Sequence, residues 1–421
     1  MIDVIQSLGI DLHFRQEIEQ TLHMIYKEGL QFNGDLHEIA LRFRLLRQEG
    51  HYVQENKKGG FKDVVKNDVK GLTELFEASE LRVEGEETLD GAREFTYSRL
   101  NELCSGRESH QKQEIMKSLA QPRHKTVRGL TSKRFTSMIK IAGQEDPEWL
   151  QSLLRVAEID SIRLKSLTQG EMSQTFKWWT ELGLEKDVEK ARSQPLKWHT
   201  WSMKILQDPT LTEQRLDLTK PISLVYVIDD IFDVYGELEE LTIFTRVVER
   251  WDHKGLKTLP KYMRVCFEAL DMITTEISMK IYKSHGWNPT YALRQSVIII
   301  QNWASLCKAF LVEAKWFNSG YLPTTEEYMK NGVDENQDGT DGSYVECYLN
   351  EYKGSTVDEA RTHVAQKISR AWKRLNRECL NPCPFSRSFS KACLNIARTV
   401  PLMYSYDDDQ RLPDEYLKSL M

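Results

Sequence analysis

Nothing in this 421-residue sequence could cross a bilayer as a helix. Its densest apolar patch, Val297 to Ile300, falls far short of the roughly 20 residues a span needs. Basic residues are not in excess either. The chain has 57 Lys and Arg against 63 Asp and Glu and a net charge of -6, which argues against nucleic acid or an anionic membrane as the main partner. Cysteine is scarce and odd in number, seven in all, so a reducing compartment is expected rather than a disulfide framework. Cys379 and Cys383 have no second cysteine pair or histidine close by in sequence, which argues against a zinc site. The opening Met1-Ile2-Asp3-Val4-Ile5 reads as mid-helix, neither a secretory signal nor an Arg/Ser-rich transit peptide. The expectation is a cytoplasmic protein, or a sequence beginning inside a longer one whose original compartment was a plastid.

Runs of β-branched residues in period two are nearly absent, and with them any sign of a sheet. What is present is helical periodicity. Leu36, Ile39, Ala40, Phe43 and Leu46 recur at offsets of three and four. Asp35 and Glu38 have capping-box spacing ahead of them, and Gly50 is a natural stop. The pattern returns over residues 69–81, 150–164, 176–189 and 357–375. The fold class is therefore all-α. The chain is too long for one small core, so two helical domains are expected, residues 1–150 and 151–421. Ahead of that boundary, residues 121–148 are basic and interrupted by Pro122, Gly129 and Gly143. Residues 331–342, with three glycines and four acidic residues, read as a loop.

The segment from Pro221 to Gly236 carries the chemistry. Pro221 suits a first helical position and Gly236 a helix end. The residues between are apolar on nearly every side, so the helix should be surrounded by protein. It nevertheless holds Asp229, Asp230 and Asp233. Positions four apart stack on one face, so Asp229 and Asp233 point the same way, with Asp230 about 100° round the axis. Uncompensated, each such carboxylate would cost several kcal/mol. Protonation or a hard divalent cation relieves that cost, Mg²⁺ above all because it leaves positions open for water and phosphate. The alternative is a helix end whose acids cap a neighbour or meet arginines.

Asp229-Asp230-Ile231-Phe232-Asp233, with residues 234–241 and Arg250-Trp251-Asp252, resembles the DDxxD region of plant class I terpene synthases. Residues 34–47 resemble the family's N-terminal domain and residues 176–183 the start of its catalytic domain. Residues 334–348 and 371–406 are most similar to the subgroup making acyclic alcohols such as linalool and nerolidol. Prenyl-diphosphate synthases share the DDxxD motif, but the N-terminal helical domain disfavours them. The resemblance implies an N-terminal helical domain followed by a helical barrel. It also implies Mg²⁺, or Mn²⁺ in its place, bound by Asp229, Asp230 and Asp233. The bound metal grips the diphosphate of geranyl or farnesyl diphosphate as it leaves, and water captures the resulting cation. Arg192 matches the first arginine of an upstream motif that binds the departing diphosphate, although the copy here reads Arg192-Ser193-Gln194. Trp201 and Tyr404 match cavity aromatics, whose faces stabilise positive charge, and Asp409 matches an acid in the loop closing the pocket. A monomer is expected.

One region departs from the family. Glu335 aligns with the last ligand of the second metal motif, (N/D)Dxx(S/T)xxxE, but the residues before it belong to a different helix start, normally separated from it by roughly fifty more residues. The chain reads as joined directly from Val333 to Asp334, with two core-facing helices missing and the barrel incomplete. The expectations are an impaired enzyme or an inactive variant from splicing or a gene model. A rescue would need Glu327, Asn331 and Glu335 to form an i, i+4, i+8 row on one helix, which Gly332 disfavours by about 1 kcal/mol. Residues 334–339 also resemble the start of an EF-hand loop, but Val345 stands where the loop's glutamate is required.

Overall fold

A computed structural model describes residues 1–29, 35–54, 67–104, 109–127, 147–188, 191–294, 303–332, 343–380 and 383–404. Among them there is no strand, and no helix is long and apolar enough to cross a membrane. The chain forms two compact units: residues 1–166 with 367–420, and residues 167–366. Packing divides the chain at 166/167, near the boundary expected around 150, and residues 367–420 join the first unit.

In the first unit, helices α1 (Ile2–Leu8), α2 (Arg15–Glu28), α3 (Leu36–Gln48), α4 (Val69–Ser79), α5 (Glu87–Cys104) and α6 (Ser109–Ala120) follow in order. The expected stripe on α3 packs inward, with Ala40, Phe43 and Leu46 buried. The Asp35 carboxylate accepts the Glu38 backbone N–H at 2.8 Å, and Gly50 ends the turn with φ at 83°. Beside the apolar core lie buried ion pairs, Arg44 with Glu74 and Asp3, and Arg47 with Glu86.

His124 is buried in this unit, its Nε2 2.7 Å from Asn376 Oδ1. Burial, then the nearby Arg398 charge, pushes its pKa down to about 3. The folded protein therefore keeps this ring neutral where the unfolded chain, at about 6.5, takes up a proton. Stability from this group is present above pH 6.5 and lost as pH falls towards 3, roughly 3 kcal/mol by pH 4. Thermal melts of wild type and His124→Gln between pH 4 and 7 check this. The variant's melting temperature should vary less over that window.

The second unit begins within α7 (Glu148–Leu182), which merges the helices expected from 150 and from 176 into one of 35 residues. There follow α8 (Pro195–Ile205), α9 (Thr212–Asp230), α10 (Leu238–Arg250), α11 (Lys261–His285), α12 (Thr290–Arg294), α13 (Trp303–Ser319), α14 (Thr325–Asn331) and α15 (Tyr344–Glu351). Then come α16 (Val357–Cys379), whose second half joins the first unit, and α17 (Arg387–Met403). Pro221 is not a first helical position: α9 starts nine residues earlier and carries it inside. The core gathers Trp198, Leu224, Ile228, Ile231, Phe244, Met263, Phe267 and Leu270, each fully or nearly fully buried and each contributing about 1.5–3 kcal/mol where aliphatic or Phe.

Candidate active site

The acids sit where α9 ends. Residues 222–228 bury all but Val225, which anchors the helix in the core of its unit up to the first aspartate. After Asp230 the helix widens into a π turn, Ile231–Tyr235, a geometry frequent at functional sites. Gly236 closes it, as expected. A Cβ there would lie 2.3 Å from Leu241 Cδ2, so no larger residue lets α10 pack this close. A capping box between Glu237 and Glu240 starts α10.

The three acids differ in setting. The Asp230 side chain is 6% exposed and that of Asp229 27%, while Asp233 is an exposed residue. Arg192 reaches two of them. Its backbone N–H donates to Asp230 Oδ2 at 2.6 Å, its Nε to Asp230 Oδ1 at 2.6 Å, and its NH2 group to Asp229 Oδ2 at 2.5 Å. The expectation of acids that need a cation for want of a basic partner is thus corrected, because one guanidinium serves two carboxylates across 37 and 38 residues of sequence. Compensation is incomplete. Burial first, then the like charge of Asp233, raises Asp229 to about 7 against the pull of Arg192. Burial also raises Asp230 above the usual carboxylate range. It opposes the Arg192 charge too, but Asp230 and Asp229 outweigh it and hold that pKa above its ordinary value.

Trp201 comes to the same place through a residue the sequence reading missed. Its indole N–H donates to the Tyr226 hydroxyl at 3.1 Å, and the Arg192 guanidinium stands 5.5 Å from the centroid of the Tyr226 ring. Tyr226 lies three residues before Asp229, so helical spacing alone could have placed it beside that acid. Ser193, the unexpected residue after Arg192, accepts the Trp179 indole N–H at 3.0 Å and bonds Glu185. Tyr404 caps the end of α17 in the first unit. Glu335, Asp409 and the EF-hand-like stretch lie outside the described residues.

Glu327 and Asn331, the two described members of the alternative metal row, are engaged elsewhere. Glu327 closes a capping box with Thr324 and accepts the Tyr321 hydroxyl at 2.9 Å. Asn331 donates to the Ala309 carbonyl at 3.1 Å and is the last residue of α14, after which Gly332 turns left-handed at φ 67°. The Thr-x-x-Glu signal for that cap was already in the sequence.

Behind the site, a buried polar cluster ties α7, α8 and α9 together. Arg215 NH2 donates to Glu171 Oε1 at 2.6 Å, and His199 Nε2 lies 3.1 Å from Glu171 Oε2. The Thr219 hydroxyl donates to Ser202 at 2.9 Å. Removing one charge would strand the other in the core. Arg215→Met should therefore cost roughly 3–5 kcal/mol, read by denaturant unfolding. A loss under about 1 kcal/mol would show that the cluster does not hold these helices together.

Among the described residues no three His, Cys, Asp or Glu side chains converge as around a bound ion. Arg192 stands on two of the aspartates. The donor set still fits a hard divalent cation, since Asp229 and Asp233 are carboxylates four residues apart and the charge of Asp233 raises the Asp229 pKa.

Residues 1–121 match the terpene synthase N-terminal domain, and residues 180–335 match the terpene synthase metal binding domain. The chain is 86% identical over 480 aligned positions to an S-(+)-linalool synthase, chloroplastic, of Arabidopsis thaliana, covering 100% of this chain and 83% of the relative. An (E)-nerolidol synthase of Cannabis sativa is 39% identical, with 100% and 88% covered. Among solved structures, isoprene synthase from grey poplar leaves in complex with three Mg²⁺ ions and dimethylallyl-S-thiolodiphosphate has a TM-score of 0.86 at 28% identity, covering 100% of this chain and 91% of that one. The 480 aligned positions exceed the 421 residues by 59, so the linalool synthase carries residues within the match that have no counterpart here. With both of the family's domains matched and this identity along its whole length, the chain belongs to the terpene synthase family.

Proposed function

We propose that this chain descends from an enzyme that ionises geranyl or farnesyl diphosphate and adds water to the allylic cation, giving linalool or nerolidol, and that the missing segment impairs it. The observation that carries the reading is Arg192 bonded to both Asp229 and Asp230, with the charge of Asp233 near enough to raise Asp229. Asp229 and Asp233 are the residues that would hold Mg²⁺, with Asp230 keeping Arg192 in place. A metal held there would supply positive charge for the diphosphate oxygens of the leaving group. Arg192, 38% exposed at its side chain, offers a planar fork of N–H donors to the same oxygens. Trp201 and Tyr226 present aromatic faces that stabilise an allylic cation without attacking it. By resemblance, Tyr404 lines the pocket, Asp409 belongs to the loop that closes it, and Glu335 is the remaining ligand of the second metal site.

The 59 positions missing relative to the linalool synthase favour the impaired reading. We place the join between Val333 and Asp334. Without the helices that belong there, one wall of the cavity and most of the second ligand set are lost, and water reaches the apolar faces. A splice product or gene-model variant without activity is the second reading, favoured by the same gap. Transcript sequencing across Val333/Asp334 separates a real junction from an assembly error. The protein is expected to be a monomer on light scattering. The Arabidopsis relative's name favours the chloroplast over the cytosol, which a fluorescent fusion of the full transcript tests. Incubation with each diphosphate and Mg²⁺, with gas chromatography of the products, tests the chemistry. Traces of linalool or nerolidol that vanish with a chelator are expected, whereas turnover equal to that of the linalool synthase would end the impairment reading.

A further inference from the structure

Arg192 meets the acidic residues in an arrangement that a bound cation could not share. Its NH2 group lies 2.5 Å from Asp229 Oδ2, on the more exposed of the two carboxylates it touches. A divalent ion reaching Asp229 and Asp233 would come within a few Å of that guanidinium, where like charges repel strongly in a partly desolvated setting. Lys197, whose Nζ is 5.3 Å from the Tyr226 ring centroid, adds positive charge on the same tyrosine. The backbone anchor is separate. The Arg192 N–H to Asp230 Oδ2 bond, at 2.6 Å, holds the chain in place whichever way the side chain points. Asp230 itself is almost shut off from solvent.

From this geometry we infer that Arg192 is a resident counterion, a stand-in for the divalent cation on Asp229 in the metal-free protein. Metal entry and release of the guanidinium towards the diphosphate are then one exchange, pivoting on the Arg192–Asp230 backbone contact. The inference rests on the metal reading proposed above and adds competition between two cations for one carboxylate. Linkage makes the competition reciprocal: whatever draws the guanidinium off Asp229 tightens metal binding.

The test is Mn²⁺ titration of the metal-free full chain without any diphosphate, with free Mn²⁺ read by electron paramagnetic resonance. Arg192→Gln should bind Mn²⁺ about tenfold more tightly than wild type, within the usual range for coupled sites. Arg192→Lys keeps a charge but reaches one carboxylate, so its affinity should fall between them. Circular dichroism checks that each variant keeps its helices. Should Arg192→Gln lose them, Arg192→Lys decides on the same criterion. Equal or weaker binding in the folded variants overturns the counterion role while leaving the metal site standing. No Mn²⁺ binding in any of the proteins overturns the metal reading and this inference together.

Discussion

Returning to this chain the residues that the Arabidopsis linalool synthase carries where Val333 meets Asp334 is expected to raise terpene alcohol formation by roughly 10³-fold. The size follows from what the segment would supply. Preorganised charge stabilisation at a leaving group is worth about 10²–10³ per contact removed, and the gap would take away several ligands along with the wall that excludes water. Geometry alone adds to this, because a substrate held loosely in an open cavity seldom reaches a reactive pose. The control is an inserted Gly/Ser linker of the same length, which should leave activity at its starting level. Product quantification by gas chromatography at matched protein concentration checks both. If the linker restores as much as the native segment, the deficit lies in chain connectivity rather than in missing ligands.

In that repaired chain, Asp229→Asn combined with Asp233→Asn should abolish Mg²⁺-dependent turnover, a fall of at least about 10³-fold. It should also remove the rise in melting temperature that Mg²⁺ otherwise produces. Amides keep the volume of the side chains but lose the negative charge that a hard cation needs. Asp230→Asn is expected to behave differently, because Asp230 receives the Arg192 backbone N–H and Nε and is almost closed to solvent. Its loss should weaken diphosphate binding more than metal binding. Equal Mg²⁺-induced stabilisation in the Asp229→Asn/Asp233→Asn protein and its parent would remove both acids from the metal site.

Local signals were read well wherever a local cause ruled. Asp35 and Gly50 bound α3 as their chemistry requires, and Gly236 closes the acidic helix at a spot where a Cβ would strike Leu241. Pro221 misled because a proline inside a helix is tolerated when tertiary contacts hold the turn before it. Here Asp217, Thr219 and Lys220 do so, bonded to Lys280, Ser202 and Glu276 in turn. At Glu327 the expected obstacle to a metal row is present, since Gly332 ends the helix, and Thr324, three residues before Glu327, is the nearer partner it bonds.

Sequence by itself determined the helical class, the family and the identity of the acids, because periodicity, turn chemistry and motif spacing are properties of neighbours along the chain. Tertiary structure alone decided how those acids are neutralised. Arg192 is 37 residues from Asp229 in sequence yet 2.5 Å away in space, because the segment leading into α8, which packs against α9, lies against the end of α9 and bonds Asp230 through its backbone. Charge compensation inside a protein falls off with distance through space, and spacing along the chain carries no record of that distance.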